Sequence, residues 1–111
     1  MSTSDEQTHL QLGDLHIDRR RFEVKIRNAE VRLTRKEFEL LWILASEGGR
    51  VVHRDELIER VWGIDYYIHS RTVDVHITRL RSKVKAAAPD LSLIETVWGI
   101  GYRLRGPEVA C

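Results

Sequence analysis

An α+β fold, with a four-stranded antiparallel sheet, three helices and a closing β-hairpin in that order, is predicted by two changes of hydrophobic period. Apolar residues alternate at period two from Leu10 to Leu33, recur at helical spacing from Phe38 to Val84, and return to a strand pattern after Leu93. Turn and cap residues mark each change: Thr34 before the first helix, Gly48-Gly49 and Gly63 after the first two, and Pro89-Asp90 after the third.

Within the first region, Leu10 and Leu12 precede a Gly13-Asp14 turn, and Leu15 and Ile17 follow it at period two. Phe22, Val24 and Ile26 share one face, Asn28-Ala29 makes the next turn, and Val31 and Leu33 resume the alternation. Four short strands with one apolar and one wet face follow from this pattern. Arg19, Arg20 and Arg21 fall between strands and read as a solvated turn.

Thr34-Arg35-Lys36-Glu37 has the form of a capping box, with Thr34 serving the amide three residues on and Glu37 reaching back. Leu33 and Phe38 stand where a hydrophobic staple clamps the helix entry. Phe38, Leu41, Leu44 and Ala45 form the inward stripe. Val51 and Val52 suit a short extended link. A second helix runs from about Arg54 to Trp62, with Leu57, Ile58, Val61 and Trp62 on its apolar face and Asp55 and Glu56 complementing the dipole in its first turn. His53 stands at the helix entry as a weak cap.

The third helix begins near Ser70 or Thr72, both competent N-caps. Val73, Ile77, Leu80 and Val84 fall at spacings of four, three and four, which is a core stripe. Leu93 to Trp98 and Tyr102 to Arg105 read as a hairpin around Gly99-Ile100-Gly101. Two helices, a basic third helix and a β-hairpin give the plan of a winged helix-turn-helix.

The chain's 111 residues, 42% hydrophobic and 32% charged, suit one domain with a core of its own. We assign it residues 9–106, with 1–8 as a leader or linker remnant and 107–111 as a tail. No apolar run approaches the ~20 residues of a membrane helix, and no secretory h-region is present, so no membrane partner is expected. The single Cys111 makes no internal disulfide and fits a reducing, cytoplasmic setting. No Cys/His cluster has zinc spacing and no Gly-rich loop cradles phosphate, so no cofactor or metal is expected. Five scattered histidines (His9, His16, His53, His69, His76) form no nucleophile–base–acid constellation, which argues against an enzyme.

The net charge of +1 hides an uneven distribution. Met1 to Ser70 carry 11 basic and 13 acidic residues, whereas Arg71 to Cys111 carry 7 and 4. Between Arg71 and Lys85 five cations (Arg71, Arg79, Arg81, Lys83, Lys85) meet one acid, Asp74. Such concentration suggests a directed polyanion contact. At about 100° per residue, turning the Val73 stripe inward presents Arg71, Val75, Thr78, Arg79 and Ser82 outward. Asp74, Arg81 and Lys85 flank one edge; Thr72, His76 and Lys83 flank the other. Arg bonds a guanine edge bidentately, while Val75 and the Thr78 methyl suit a thymine methyl, so Val75, Thr78 and Arg79 are the candidate base readers. Arg71, Thr72, His76, Arg81 and Lys83 are the candidate phosphate contacts. A winged helix meeting an acidic protein is the alternative.

Four segments carry a family resemblance: LTRKEFELLW from Leu33, VHRDELIERVWG from Val52, RTVDVHITRLR from Arg71 and TVWGIGYRL from Thr96. In that order they closely resemble the OmpR/PhoB family of response-regulator output domains, over about Leu10 to Arg105. The resemblance implies sequence-specific binding of double-stranded DNA in a two-component phosphorelay. It makes the helix matching 71–85 the recognition helix and the hairpin within 93–105 a minor-groove wing, with Thr96, Trp98 and Arg103 as its candidate contacts. It also implies that the loop matching Gly63 to His69 faces RNA polymerase, which singles out Asp65, Tyr66 and Tyr67; packing over the core is the other reading of the tyrosines. Further implied partners are a receiver domain, promoter direct repeats and a head-to-tail dimer on them. Many family members carry Arg where this chain has Trp98; Trp98 supplies no cation for a narrow minor groove, and Arg103 or Arg105 is the substitute the sequence offers. Nothing here resembles a receiver, so the chain reads as an isolated output domain or a stand-alone regulator, the first being preferred.

Overall fold

Residues 8–63 and 69–105 are described by the computed structural model. The first sheet comprises β1 (His9–Leu12), β2 (Leu15–Asp18), β3 (Glu23–Ile26) and β4 (Ala29–Glu30), antiparallel and in sequential order. Register puts Leu10 opposite Ile17 and Ile17 opposite Val24, with Leu12, Leu15 and Ile26 forming the next row. All six lie on one face, and the four from β2 and β3 are fully buried.

Two details of this sheet differ from the sequence reading. Phe22 does not join the inward row: it lies before β3 with φ +52°, is 54% exposed, and lays its ring against Phe38 at 4.8 Å. The turn before it is tied by the Arg20 and Arg21 amides, which donate to Asp18 Oδ1. The second correction is one of position. The hairpin turn is Arg27-Asn28, both at positive φ, and Ala29 already pairs with Ile26. Positive φ at both central residues is what a two-residue hairpin of matching twist requires.

Helix α1 (Arg35–Ser46) begins with the expected capping box: Glu37 N donates to Thr34 Oγ1 at 3.2 Å, and Thr34 N donates to Glu37 Oε1 at 2.9 Å. Replacing Thr34 with Ala removes one of these bonds and is expected to destabilise the domain by about 1 kcal/mol. Chemical denaturation measures this, and an unchanged midpoint would rule the cap out as a stabilising element. The stripe of four inward residues proves too narrow. Leu40, Trp42, Ile43 and even Glu37 are also buried, because α1 packs against β1 on one side and the other two helices and the second sheet on the other.

That second sheet has the order β5-β7-β6, from β5 (Val52–His53), β6 (Ile94–Val97) and β7 (Gly101–Leu104). The expected link at Val51-Val52 is thus a paired strand, with Val52 opposite Tyr102 and His53 opposite Gly101. Helix α2 (Arg54–Val61) follows directly; His53 makes no side-chain cap bond, and Leu57 and Val61 are buried. Helix α3 (Ser70–Ala87) buries Val73, Ile77, Leu80 and Val84, the four residues of the predicted stripe. Its cap is neither Ser70 nor Thr72. His69 stands at that position, and its Nδ1 accepts from Arg71 N at 3.1 Å. Among the described residues no helix is long and apolar enough to cross a membrane.

Candidate nucleic-acid interface

The outward side of α3 carries Arg71, Val75, Thr78, Arg79 and Ser82, all exposed, opposite the buried stripe. Val75 is 41% exposed on this polar side, an apolar group kept in water at the centre of the face. Thr78 Oγ1 donates back to Asp74 O at 2.9 Å, which satisfies the hydroxyl within the helix. Arg79 has no hydrogen-bond or ion-pair partner among the described residues.

The edges of the same helix are less free than the wheel suggests. His76 is partly buried, with Nδ1 2.8 Å from Thr72 O and its ring edge-on to Trp62 at 5.2 Å. Arg81 donates to Ile94 O at 3.1 Å and to Thr96 Oγ1, and its guanidinium lies 5.5 Å from the Tyr102 ring centroid. Lys83 Nζ donates to Glu37 Oε1 at 2.6 Å. Arg81 and Lys83, expected on phosphates, are therefore engaged with the protein's own acceptors, and Thr96 with them. Arg103, a candidate wing contact, donates to Glu95 Oε1 at 2.8 Å across the hairpin. Asp65, Tyr66 and Tyr67 lie outside the described residues.

A cluster that the sequence did not disclose joins these parts. Asp74, the only acid on α3, accepts from Arg54 Nε at 2.8 Å and from the Tyr102 hydroxyl at 2.6 Å. Burial pushes the Asp74 carboxyl up, but the Tyr102 hydroxyl and Arg54 outweigh it and hold it below the usual carboxylate range. Burial and the Asp74 charge push the Tyr102 hydroxyl up, which keeps it a donor. Arg54 opens α2, Asp74 sits in α3 and Tyr102 in β7, so one acid locks three elements. Its isolation among five cations was the available signal; the identity of its partners depends on strand pairing that spacing does not reveal.

Glu37 anchors the other end. Burial opposes its charge, yet Lys83 and the Thr34 amide hold the carboxyl below its ordinary range. The α3 helix is thereby held to α1 by Lys83 and to the hairpin by Arg81, and its outward face is left to Arg71, Val75, Thr78, Arg79 and Ser82.

Against this geometry, the family model described as "Transcriptional regulatory protein, C terminal" matches residues 28–104. The chain belongs to the OmpR/PhoB family. Relative to the phosphate regulon transcriptional regulatory protein PhoB of Rhizobium meliloti, this family member is 47% identical over 98 residues, covering 87% of its own length and 42% of that protein. It is 43% identical over 95 residues to the heme response regulator HssR of Staphylococcus epidermidis, covering 86% and 42%. The chain spans less than half the length of these curated relatives. Its fold superposes on the response regulator DrrB of Thermotoga maritima with a TM-score of 0.80 at 33% identity, over 94% of this chain and 48% of that one. The RstA DNA-binding domain of Klebsiella pneumoniae, solved in complex with the RstA box, gives a TM-score of 0.76 at 34% identity, over 88% and 97%. DrrB is itself an OmpR/PhoB homologue, and this chain, with its three helices, four-stranded sheet and closing hairpin, has the winged-helix fold of the family.

Proposed function

We propose that this chain binds double-stranded DNA in a sequence-specific manner as the output domain of a two-component response regulator. The observation that carries the reading is the α3 surface: a buried stripe fixes the helix, and the opposite side offers Arg79, with no partner among the described residues, beside exposed Val75 and Thr78. In the major groove those three side chains meet base edges, and Arg71, Thr72 and His76 meet the flanking phosphates. Arg81 and Lys83 act first as struts, holding α3 to the hairpin and to α1. The β6–β7 hairpin, fixed to the same helix by Arg81 and Asp74, lies at the adjacent minor groove.

A receiver domain preceding this one supplies the signal in the full-length protein, and a head-to-tail pair occupies promoter direct repeats. RNA polymerase is met through the segment containing Asp65, Tyr66 and Tyr67. These assignments rest on the family, not on the geometry.

The test is a duplex selected from a random pool, compared with unselected DNA. Arg79→Ala is expected to lose about 1–3 kcal/mol on the selected duplex, to relax preference at one base pair, and to lose less on random DNA. Equal losses on all sequences would overturn the orientation of α3. Failure of the intact domain to bind any duplex, even at low salt, would leave the acidic-protein partner as the better reading.

A further inference from the structure

The most exposed large apolar side chain among the described residues is Trp98, at 86%, and Ile100 beside it is 43% exposed. Both sit in the three-residue loop between Val97 and Gly101, which face each other as the last pair of the β6–β7 ladder. The loop has a defined shape: Gly99 is at φ +79°, Ile100 N donates to Val97 O at 2.9 Å, and Ile100 O accepts from Arg54 N at 3.3 Å. The tip is thus pinned to the start of α2 and braced from below by β5. It carries no charged side chain, and the nearest hairpin cation in sequence, Arg103, is held on Glu95.

This combination excludes one way of meeting DNA and favours another. A narrow, stiff A-tract groove is read by a cation drawn into its negative potential, and this tip has none to offer. A rigid apolar point can instead enter a widened minor groove and partly unstack a base step, which kinks the duplex toward the major groove. The energy of unstacking is least at flexible pyrimidine–purine steps. Insertion also removes a solvated indole and an isoleucine side chain from water, a gain that needs no counterion release.

Building on the DNA-binding reading above, we propose that Trp98 and Ile100 form an apolar wedge that enters the minor groove beside the α3 site at a pyrimidine–purine step. The wing then selects DNA by its capacity to bend, and its contribution to affinity is insensitive to salt.

The experiment uses the whole chain and the duplex selected from a random pool, with bend angle read by circular-permutation gel mobility. Trp98→Ala is expected to weaken binding about tenfold or more. It should also straighten the duplex and leave the slope of log affinity against log salt unchanged. Trp98→Leu keeps an apolar point and retains most of the bend, whereas Trp98→Gln does not. Trp98→Arg steepens the salt slope by about one and moves the enriched flank from TA or CA steps to A-tracts. An unbent wild-type complex, wild-type affinity in Trp98→Ala, or a salt slope lowered by about one in that variant would each overturn the wedge. Arg79→Ala on the same duplex separates the two readings. If it weakens binding while Trp98→Ala does not, the wedge alone fails; if the wild-type chain binds no duplex, the DNA reading fails with it. Circular dichroism of each variant confirms folding, which the exposure of Trp98 leads us to expect.

Discussion

Gly101→Ala is expected to destabilise the domain by roughly 3 kcal/mol, at the upper end of the range for overpacking a close contact. A Cβ built at Gly101 would collide with Val52 O and lie 2.9 Å from both Val52 C and His53 Cα. These obstacles are backbone atoms, so no rotamer change relieves them. The β5 and β7 strands must separate, which breaks the Val52–Tyr102 and His53–Gly101 pairing and disturbs two residues, Val52 and Tyr102, that are at most 4% exposed. Displacing Tyr102 also loosens its hydroxyl from Asp74, so the defect reaches α3. Gly99→Ala is the control. Nothing lies within 4 Å of its added Cβ, and only the φ of +79° opposes it, for an expected loss of about 1–2 kcal/mol. Urea denaturation of the two variants makes the comparison. Equal losses would mean that backbone conformation, not the close approach of β5, demands glycine at 101.

The helical half of the site was legible because burial of α3 is one-sided. A single apolar stripe against polar neighbours specifies the rotation of a helix, and Val73, Ile77, Leu80 and Val84 fix which residues point out. Helix α1 shows where that logic weakens. Leu40 through Leu44 is an unbroken apolar run, and such a run denotes a helix covered on several sides, as α1 is. Phe22 misled the period-two reading because a turn with φ +52° rotates it out of the row. The long-range ion pairs were not legible at all. Lys83 and Glu37 are 46 residues apart, as Arg27 and Asp90 are 63, and no local pattern encodes which cation finds which acid. The charge run on α3 therefore singled out the helix here proposed to face DNA, while hiding that two of its cations are already engaged.

Lys83 makes that distinction measurable. A cation on phosphate and a cation on a buried carboxylate both read as exposed-helix lysines in sequence, but their loss has opposite signatures. Glu37 is 1% exposed, and its Oε1 accepts from Lys83 Nζ at 2.6 Å, whereas the Lys83 side chain is 38% exposed. Lys83→Ala leaves a buried carboxylate with only the Thr34 contacts. Stranding a buried charge is worth about 3–5 kcal/mol, and solvent access on the Lys83 side reduces the expected loss to roughly 2–3 kcal/mol at neutral pH. The pH dependence follows from the direction of the Glu37 shift. In the wild-type chain this carboxyl is held below its ordinary value, so its contribution is present above the unfolded carboxylate range and is lost as pH falls through the depressed folded value. Without Lys83 the largest remaining influence is burial, which favours the neutral acid, so the variant is relieved as Glu37 takes up a proton. The stability gap between the two proteins is therefore widest at neutral pH and closes as pH falls from the raised Glu37 value of the variant to the depressed value of the wild type. Urea denaturation at several pH values measures it, with Lys83→Ala in the Glu37→Gln background as the partner variant, where the loss should be small. On DNA, the salt slope of Lys83→Ala should equal that of the wild type, because the ammonium is not available to displace a counterion. A pH-independent loss of stability, or a slope lowered by about one, would return Lys83 to the phosphates and leave Glu37 to the capping box alone.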